Sequence, residues 1–249
     1  VLAQQAGEDL LARLTWMTLK PNIILDVGCG TGMMRAQLQT QYPEAQIIAI
    51  DSSTDMIEFA KQQASTAASF FISAEASALP YPDRSVDLIF ANLLLPWHAN
   101  QASLLREWRR VLRPDGLLLF NALGLDTLKE WRAQAGDEHL PVLFDMHDLG
   151  DLLLQQGFAD PVLDVDYYTL TYRSKEKLAH ELSVTGMLAL SSADILAQEK
   201  IAAIPKINDT WHITYEIIYA HAFAPFIKTP ENKNTQHEVR VPLSQLKRK

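Results

Sequence analysis

The segment Asp26-Val27-Gly28-Cys29-Gly30-Thr31-Gly32 constrains this chain more than any other. It continues Ile23-Ile24-Leu25, a short apolar run of the kind that forms a strand buried on both faces. Glycines at 28, 30 and 32 let the backbone turn tightly and let a ligand approach the main chain. A helix expected from about Thr31-Gly32 to Thr40 would aim unpaired N–H groups and partial positive charge at that ligand. The spacing is G-x-G-x-G behind an acid, not the G-x-G-x-x-G of dinucleotide sites. Asp26 would repel a pyrophosphate, but it suits a ligand carrying an ammonium or sulfonium cation.

Beyond this turn, apolar runs alternate with helical patterns. Strands are expected at 23–27, 46–51, 69–72, 85–92 and 116–121. Leu10, Leu11 and Leu14 share one face of a first helix, Ser53 or Thr54 caps another through Ala64, and a third runs from Gln101 to Leu112. Pro114-Asp115-Gly116 separates that third helix from the fifth strand. Such alternation predicts an α/β, doubly wound, mostly parallel sheet, Rossmann-like in plan. Ligands in such sheets sit beyond the carboxyl ends of the strands. The first strand ends in the glycines and the second in Asp51, so both point at one crevice.

After about residue 122 the pattern changes. A helix over 148–156, a long strand over 161–172, two helical stretches within 174–208 and a last strand over 211–221 are expected. The helical pair lies between the last two strands and is expected to form a lid. With no Gly- or Ser-rich linker, residues 1–249 read as one domain with 174–208 as a lid insertion.

Net charge is −8, from 22 basic and 30 acidic residues, which argues against a nucleic-acid partner. The basic end Lys247-Arg248-Lys249 reads as a solvated tail. No apolar run approaches the roughly 18 residues of a membrane span. Cys29 is the single cysteine, so no intrachain disulfide can form, which fits a reducing compartment. The expectation is a soluble cytoplasmic protein with no membrane partner. The chain opens at Val1 rather than Met, leaving room for residues ahead of it.

Several side chains are candidates for the crevice. Asp51 can accept both hydroxyls of a ribose, with Ser52 beside it. Glu75, with Ala76 after it, either takes the exocyclic amine of an adenine or is a solvated loop acid. Asn92 either bonds a polar ligand tail or caps a loop, and Met56 either packs on a base or belongs to the core.

The run Asp26–Gly32 with a strand-end Asp51 resembles the glycine motif of class I S-adenosylmethionine-dependent methyltransferases. Glu75-x-x-x-Leu79-Pro80, Asp87-Leu88-Ile89 and Leu112-Arg113-Pro114-x-Gly116 resemble later landmarks of that superfamily, in order. The resemblance covers roughly 20–122. It implies a seven-stranded sheet with an antiparallel last strand, S-adenosylmethionine as cofactor and S-adenosylhomocysteine as product. Gly28, Cys29, Gly30 and Gly32 would carry the cofactor, with no metal.

Asp148-Leu149-Gly150-Asp151, Gly157-Phe158-Ala159-Asp160-Pro161-Val162 and Thr214-Tyr215-Glu216-Ile217-Ile218-Tyr219-Ala220-His221-Ala222 extend the likeness. With Asn92-Leu93 and Trp97, they resemble the malonyl-acyl-carrier-protein O-methyltransferase family of biotin synthesis (BioC). That resemblance implies methylation of the free carboxylate of a malonyl thioester, carried on acyl carrier protein or coenzyme A, toward pimelate. In that family the segment ahead of Val1 helps to close the site.

A carboxylate with a pKa near 4 is ionised at neutral pH and needs no general base, so orientation suffices and no catalytic side chain is expected. Arg173, beside Tyr172 at the root of the lid, is a candidate bidentate anchor for that carboxylate. The family commonly carries an arginine in a lid stretch like Leu-Arg-Asp-Leu-Lys. This chain reads Leu178-Ala179-His180-Glu181-Leu182, with His180 at the arginine's place. Trp97, His98, Tyr172 and Tyr215 are candidate pocket walls. Arg106, Arg109, Arg110 and Arg113 either face an acidic carrier or form a solvated helix face. Two other readings stand: a methyltransferase for another small acceptor, and a non-catalytic S-adenosylmethionine-binding partner subunit.

Overall fold

A computed structural model describes residues 1–64, 70–137, 140–188 and 195–225. Ser69 and the tail Lys247-Arg248-Lys249 lie outside the described residues. Seven strands form one sheet: β1 (Ile23–Val27), β2 (Gln46–Asp51), β3 (Phe70–Ser73), β4 (Val86–Ala91), β5 (Leu112–Leu123), β6 (Ala159–Tyr172) and β7 (Trp211–Phe223). Their order is β3-β2-β1-β4-β5-β7-β6. β7 runs antiparallel to both its neighbours, while the pairings among β1 to β5 are parallel. From β1 the strands are laid down outward through β2 and β3 on one side and through β4 and β5 on the other, so strand order reverses between β1 and β4 and the crevice lies beyond the carboxyl ends of β1, β2 and β4.

The helices are α1 (Leu2–Arg13), α2 (Arg35–Gln41), α3 (Thr54–Gln63), α4 (Gln101–Val111), α5 (Lys129–Ala135), α6 (Met146–Gln155), α7 (Lys175–Val184) and α8 (Ile195–Ala203). Alternate residues of the central strands enter two cores. Ile24, Leu88 and Leu117 face α1, α2 and the α7–α8 pair. Leu25, Ile89 and Leu118 face α4 and α6. Burial on both faces is why these strands read as unbroken apolar runs rather than as alternating ones.

Three local differences from the sequence reading have physical causes. α2 begins at Arg35 rather than at Thr31-Gly32, because Gly32 holds φ +76°, outside the right-handed helical region. β5 begins at Leu112, ahead of Pro114-Asp115-Gly116: Leu112 already pairs with Val86, and a register shift before Leu88 absorbs the turn residues. α5, a short helix, carries no strong periodic signal and was not expected.

α1 is fastened across the sheet by a polar cluster. Tyr168 Oη donates to Asp9 Oδ2 at 2.6 Å and lies 2.6 Å from Tyr219 Oη. The Arg13 guanidinium stacks 3.5 Å over the Tyr219 ring and pairs with Asp164 and Asp166. This anchorage fixes the C-terminal half of α1 against β6 and β7.

Candidate active site

A cavity of about 520 Å³ opens where β1, β2 and β4 end. Gly28, Gly30, Asp51, Met56, Asn92 and Trp97 line it from the sheet side. Leu2 and Ala3 of α1 close one flank, and Glu181, Thr185 and Met187 come from α7 and the turn after it. A smaller cavity of about 210 Å³ adjoins it and holds Ser52, Glu75 and Ala76. The two share Gly28, Asp51, Leu94 and Trp97, so they form one crevice with a wide and a narrow end.

The glycine turn is built for a close backbone approach. Gly28 and Cys29 donate their N–H groups to the Ile50 carbonyl at 2.8 and 3.0 Å, which ties the turn to β2. Gly30 has φ +52°, and a Cβ there would meet nothing within 4 Å, so its bare backbone faces open space. Asp51 braces the same turn: Oδ2 accepts from Gly30 N at 2.8 Å and Oδ1 from Ser53 N at 2.9 Å. Each carboxylate oxygen retains a further lone pair.

Asp26 lies beneath the turn, 2% exposed, and its Oδ2 has no hydrogen-bond partner among the described residues. Burial first, and the charge of Asp51 second, raise its carboxyl to about 7; Arg35 opposes the rise. Asp26 lines neither cavity; its buried carboxyl, lacking a partner, lies behind the turn and favours positive charge nearby. Arg35 was not anticipated. It is 8% exposed and stacks 5.6 Å from the Phe71 ring, behind the turn. Cys29 and Gly32 line neither cavity, and burial pushes the Cys29 thiol up, away from nucleophilic chemistry.

Asn92 reaches the crevice wall, and its amide is partly committed to the protein. Nδ2 donates to Ala3 O at 2.8 Å, and Oδ1 accepts from Asn121 at 2.9 Å. Asn121, fully buried, also donates to Ala6 O and accepts from Leu93 N at 2.6 Å. These two asparagines hold α1 over the crevice, with Gly7 of α1 at the point of closest approach.

The expected substrate residues are divided. Trp97 stands on the shared wall of both cavities, 43% exposed. Tyr172 is 8% exposed below the lid, and its hydroxyl has no partner within bonding geometry among the described residues. Burial, then the charge of Glu181, raise the Tyr172 hydroxyl well above its usual value. Tyr215 is buried behind it, 2% exposed. Arg173 is not brought to the crevice; with Ser174, Lys177 and His212 it lines a separate depression at the lid root. His180 is exposed, and the neighbouring Glu181 is the one that enters the cavity wall. Leu178 and Leu182 are fully buried, and they set the rotation of α7 that turns Glu181 inward. The buried leucines were legible as a helical stripe, but the face beside them was not.

The arginines of α4 are largely spent inside the fold. Arg110 pairs with Glu107 at 2.6 Å and Asp83 at 2.7 Å, Arg113 with the buried Asp87, and Arg109 Nε donates to Gly157 O at 3.0 Å. Asp87 also accepts from Asn22 N and Ile23 N, at 2.6 and 2.8 Å, so that landmark acid is a staple for the start of β1.

A family model described as a methyltransferase domain matches residues 25–120. The chain is 35% identical to malonyl-acyl-carrier-protein O-methyltransferase 1 of Coxiella burnetii, across 98% of this chain and 88% of that one. It is 34% identical to the malonyl-acyl-carrier-protein O-methyltransferase of Gallionella capsiferriformans, across 90% and 84%. Among solved structures, the YcgJ protein of Bacillus subtilis superposes with a TM-score of 0.65 at 15% identity, covering 88% of this chain and 99% of that one, a likeness of fold alone. With such identity over nearly its whole length, the chain belongs to the malonyl-acyl-carrier-protein O-methyltransferase family, on a class I methyltransferase fold.

Proposed function

We propose that this chain methylates the free carboxylate of a malonyl thioester carried on acyl carrier protein, in early biotin synthesis. The observation that carries the reading is the lidded crevice at the ends of β1, β2 and β4, in a chain with this family membership. Residues 1–249 act in this reading as one domain, with 174–208 as the lid.

S-adenosylmethionine supplies an electrophilic methyl group on a sulfonium centre when bound. The residues present fit it: the orphaned Asp26 oxygen and the open backbone at Gly30 suit the charged amino-acid end of that molecule. In the proposed arrangement Asp51 and Ser52 receive ribose hydroxyls, and Glu75 and Ala76 receive the adenine in the narrow cavity. Met56 and Trp97 supply apolar walls. Gly28 and Gly30 let the main chain come close, and Asn92, whose amide holds α1 through one N–H, keeps a second N–H for a polar ligand tail.

The substrate carboxylate is already a nucleophile at neutral pH, so the chain need not remove a proton from it. What the residues supply is position and exclusion of water. α1 and the lid residues Glu181, Thr185 and Met187 close over the crevice from two sides. Among the described helices, none is long and apolar enough to cross a membrane, which fits a carrier-borne substrate met in water.

The test is incubation with S-adenosylmethionine and malonyl-carrier protein, read by intact mass of the carrier. A gain of one methyl group is expected. No gain, with donor binding shown by calorimetry, overturns the reading in favour of another acceptor or a non-catalytic subunit.

A further inference from the structure

A third depression, of about 620 Å³, starts at Trp97 and His98 and runs outward between two segments that no motif distinguishes. Leu140 and Val142 form one bank; Gly186 and Leu188, at the end of the lid helix, form the other. Trp97 lines this groove and both parts of the crevice, so one indole divides the outer groove from the site. The banks are held. Val142 N donates to Pro96 O at 3.1 Å, and Phe144 N to Leu123 O at 2.9 Å. On the lid side, Gly186 N donates to Ser183 O at 3.1 Å and Leu188 N to Leu182 O at 3.0 Å. Gly186 packs so near the indole that a Cβ there would lie 3.5 Å from it.

The groove's chemistry is selective. Among the described residues that line it, none carries a permanent charge. His98 keeps its Nδ1 against Asn100, 3.1 Å from that residue's carbonyl, which leaves its other ring nitrogen available. The wall is thus apolar with a few neutral polar groups, the surface that suits an uncharged, amide-bearing chain.

We propose that this groove receives the pantetheine arm of a carrier-borne malonyl thioester, and that Val142 and Trp97 determine how that arm enters. The proposal rests on the reading given under Proposed function. A malonyl group delivered to a crevice roofed by α1 and the lid must be handed in on a tether, because the folded carrier cannot follow it. The tether is uncharged, with two amides and a gem-dimethyl group, and this groove is uncharged and continuous with the site through Trp97. A second copy of this chain or an apolar peptide is the competing occupant.

The experiment uses Val142→Trp, which fills the groove at a half-exposed position, with Leu154→Trp, the same bulk placed on exposed α6 away from the groove, as a control for folding. Steady-state methyl transfer is measured with malonyl-carrier protein, malonyl-coenzyme A and the short malonyl-N-acetylcysteamine. For Val142→Trp, the expected result is a KM raised about tenfold for both pantetheine substrates, kcat within twofold, and an unchanged KM for the short thioester. Leu154→Trp stays near the parent. An unchanged KM for the long substrates, or an equal rise for the short one, overturns the proposal. A lower parent KM for the carrier than for the coenzyme supports the carrier as source, and the reverse overturns that part. Saturation-transfer NMR with S-methyl-pantetheine reads the groove without catalysis. Transfer to the gem-dimethyl group is expected in the parent and its loss in Val142→Trp. Absence in the parent, or persistence in the variant, overturns the groove, whereas failure of all malonyl thioesters to be methylated overturns only the reaction.

Discussion

The backbone N–H of Gly30 donates to Asp51 Oδ2 at 2.8 Å, so the turn after β1 and the acid ending β2 form one unit. Asp51 shapes the crevice as well as facing it. Asp51→Asn removes the charge and replaces one acceptor by a donor against Gly30. Affinity for S-adenosylmethionine is expected to fall by roughly tenfold to a hundredfold, the range for losing charged hydrogen bonds of about 1.5–3 kcal/mol. Titration calorimetry on a variant with unaltered circular dichroism checks this, and parent-like affinity would contradict the assignment.

Asp26 couples stability and binding to pH. Its folded carboxyl is held near 7, above the usual carboxylate range, by burial and then by Asp51. Between about 4 and 7 the folded state therefore holds a proton that the unfolded chain has lost. Stability without ligand falls as pH rises through this window, by at most about 1.4 kcal/mol per pH unit. A cationic ligand favours the ionised acid, so affinity for S-adenosylmethionine rises over the same window and levels off above it. Asp26→Asn should flatten both curves; denaturant melts and calorimetry at stepped pH are the measurements.

Gly7 in α1 leaves no room for a side chain. A Cβ there would lie 2.6 Å from Met34 Sδ and 3.0 Å from Asn92 Nδ2, and Asn92 is pinned by two hydrogen bonds. Gly7→Val is expected to lower stability by about 1–3 kcal/mol. Because α1 roofs the crevice, it should also weaken cofactor binding. A chemical melt with and without S-adenosylhomocysteine separates the two effects, and equal stability to the parent would refute the packing argument.

Asp87 is 7% exposed and accepts from Asn22 N, Ile23 N and Arg113. Asp87→Ala leaves buried donors without a partner, a loss on the order of 2–4 kcal/mol. The folded fraction should keep its kcat, since Asp87 sits at the opposite end of the strands from the crevice. A proportionate fall in kcat would show a coupling that this geometry lacks.

Arg173 and Glu181 can be set against each other. Arg173 opens into the depression at the lid root, whereas Glu181 lies in the cavity wall. Arg173→Ala is expected to change kcat/KM by less than about threefold, and Glu181→Gln by about tenfold or more, as for a partly buried charged contact. Reversal of that order, in the carrier mass assay, would restore Arg173 as the anchor.

Much of this architecture is written locally. The turn at 28–32 needs glycine whatever surrounds it, and short, β-branched apolar runs bounded by turns, such as Ile47-Ile48-Ala49-Ile50, suit strands covered on both faces. Strand ends follow from those runs, so Asp51, Glu75 and Asn92 were readable as neighbours of one crevice. Roles that depend on contacts distant in sequence were not readable. A helix turns by about 100° per residue, so only the docking of Leu178 and Leu182 decides that Glu181 rather than His180 faces inward. Likewise Asp83, Asp87 and the Gly157 carbonyl decide that the arginines of α4 and its end are mostly paired within the fold. The sequence by itself determined the sheet and the place of the crevice, because backbone geometry and burial pattern are local properties. The tertiary structure alone decided the inward face of α7, the fate of the charges and the bonds of Asn92 to α1 and Asn121, because those depend on which distant groups meet.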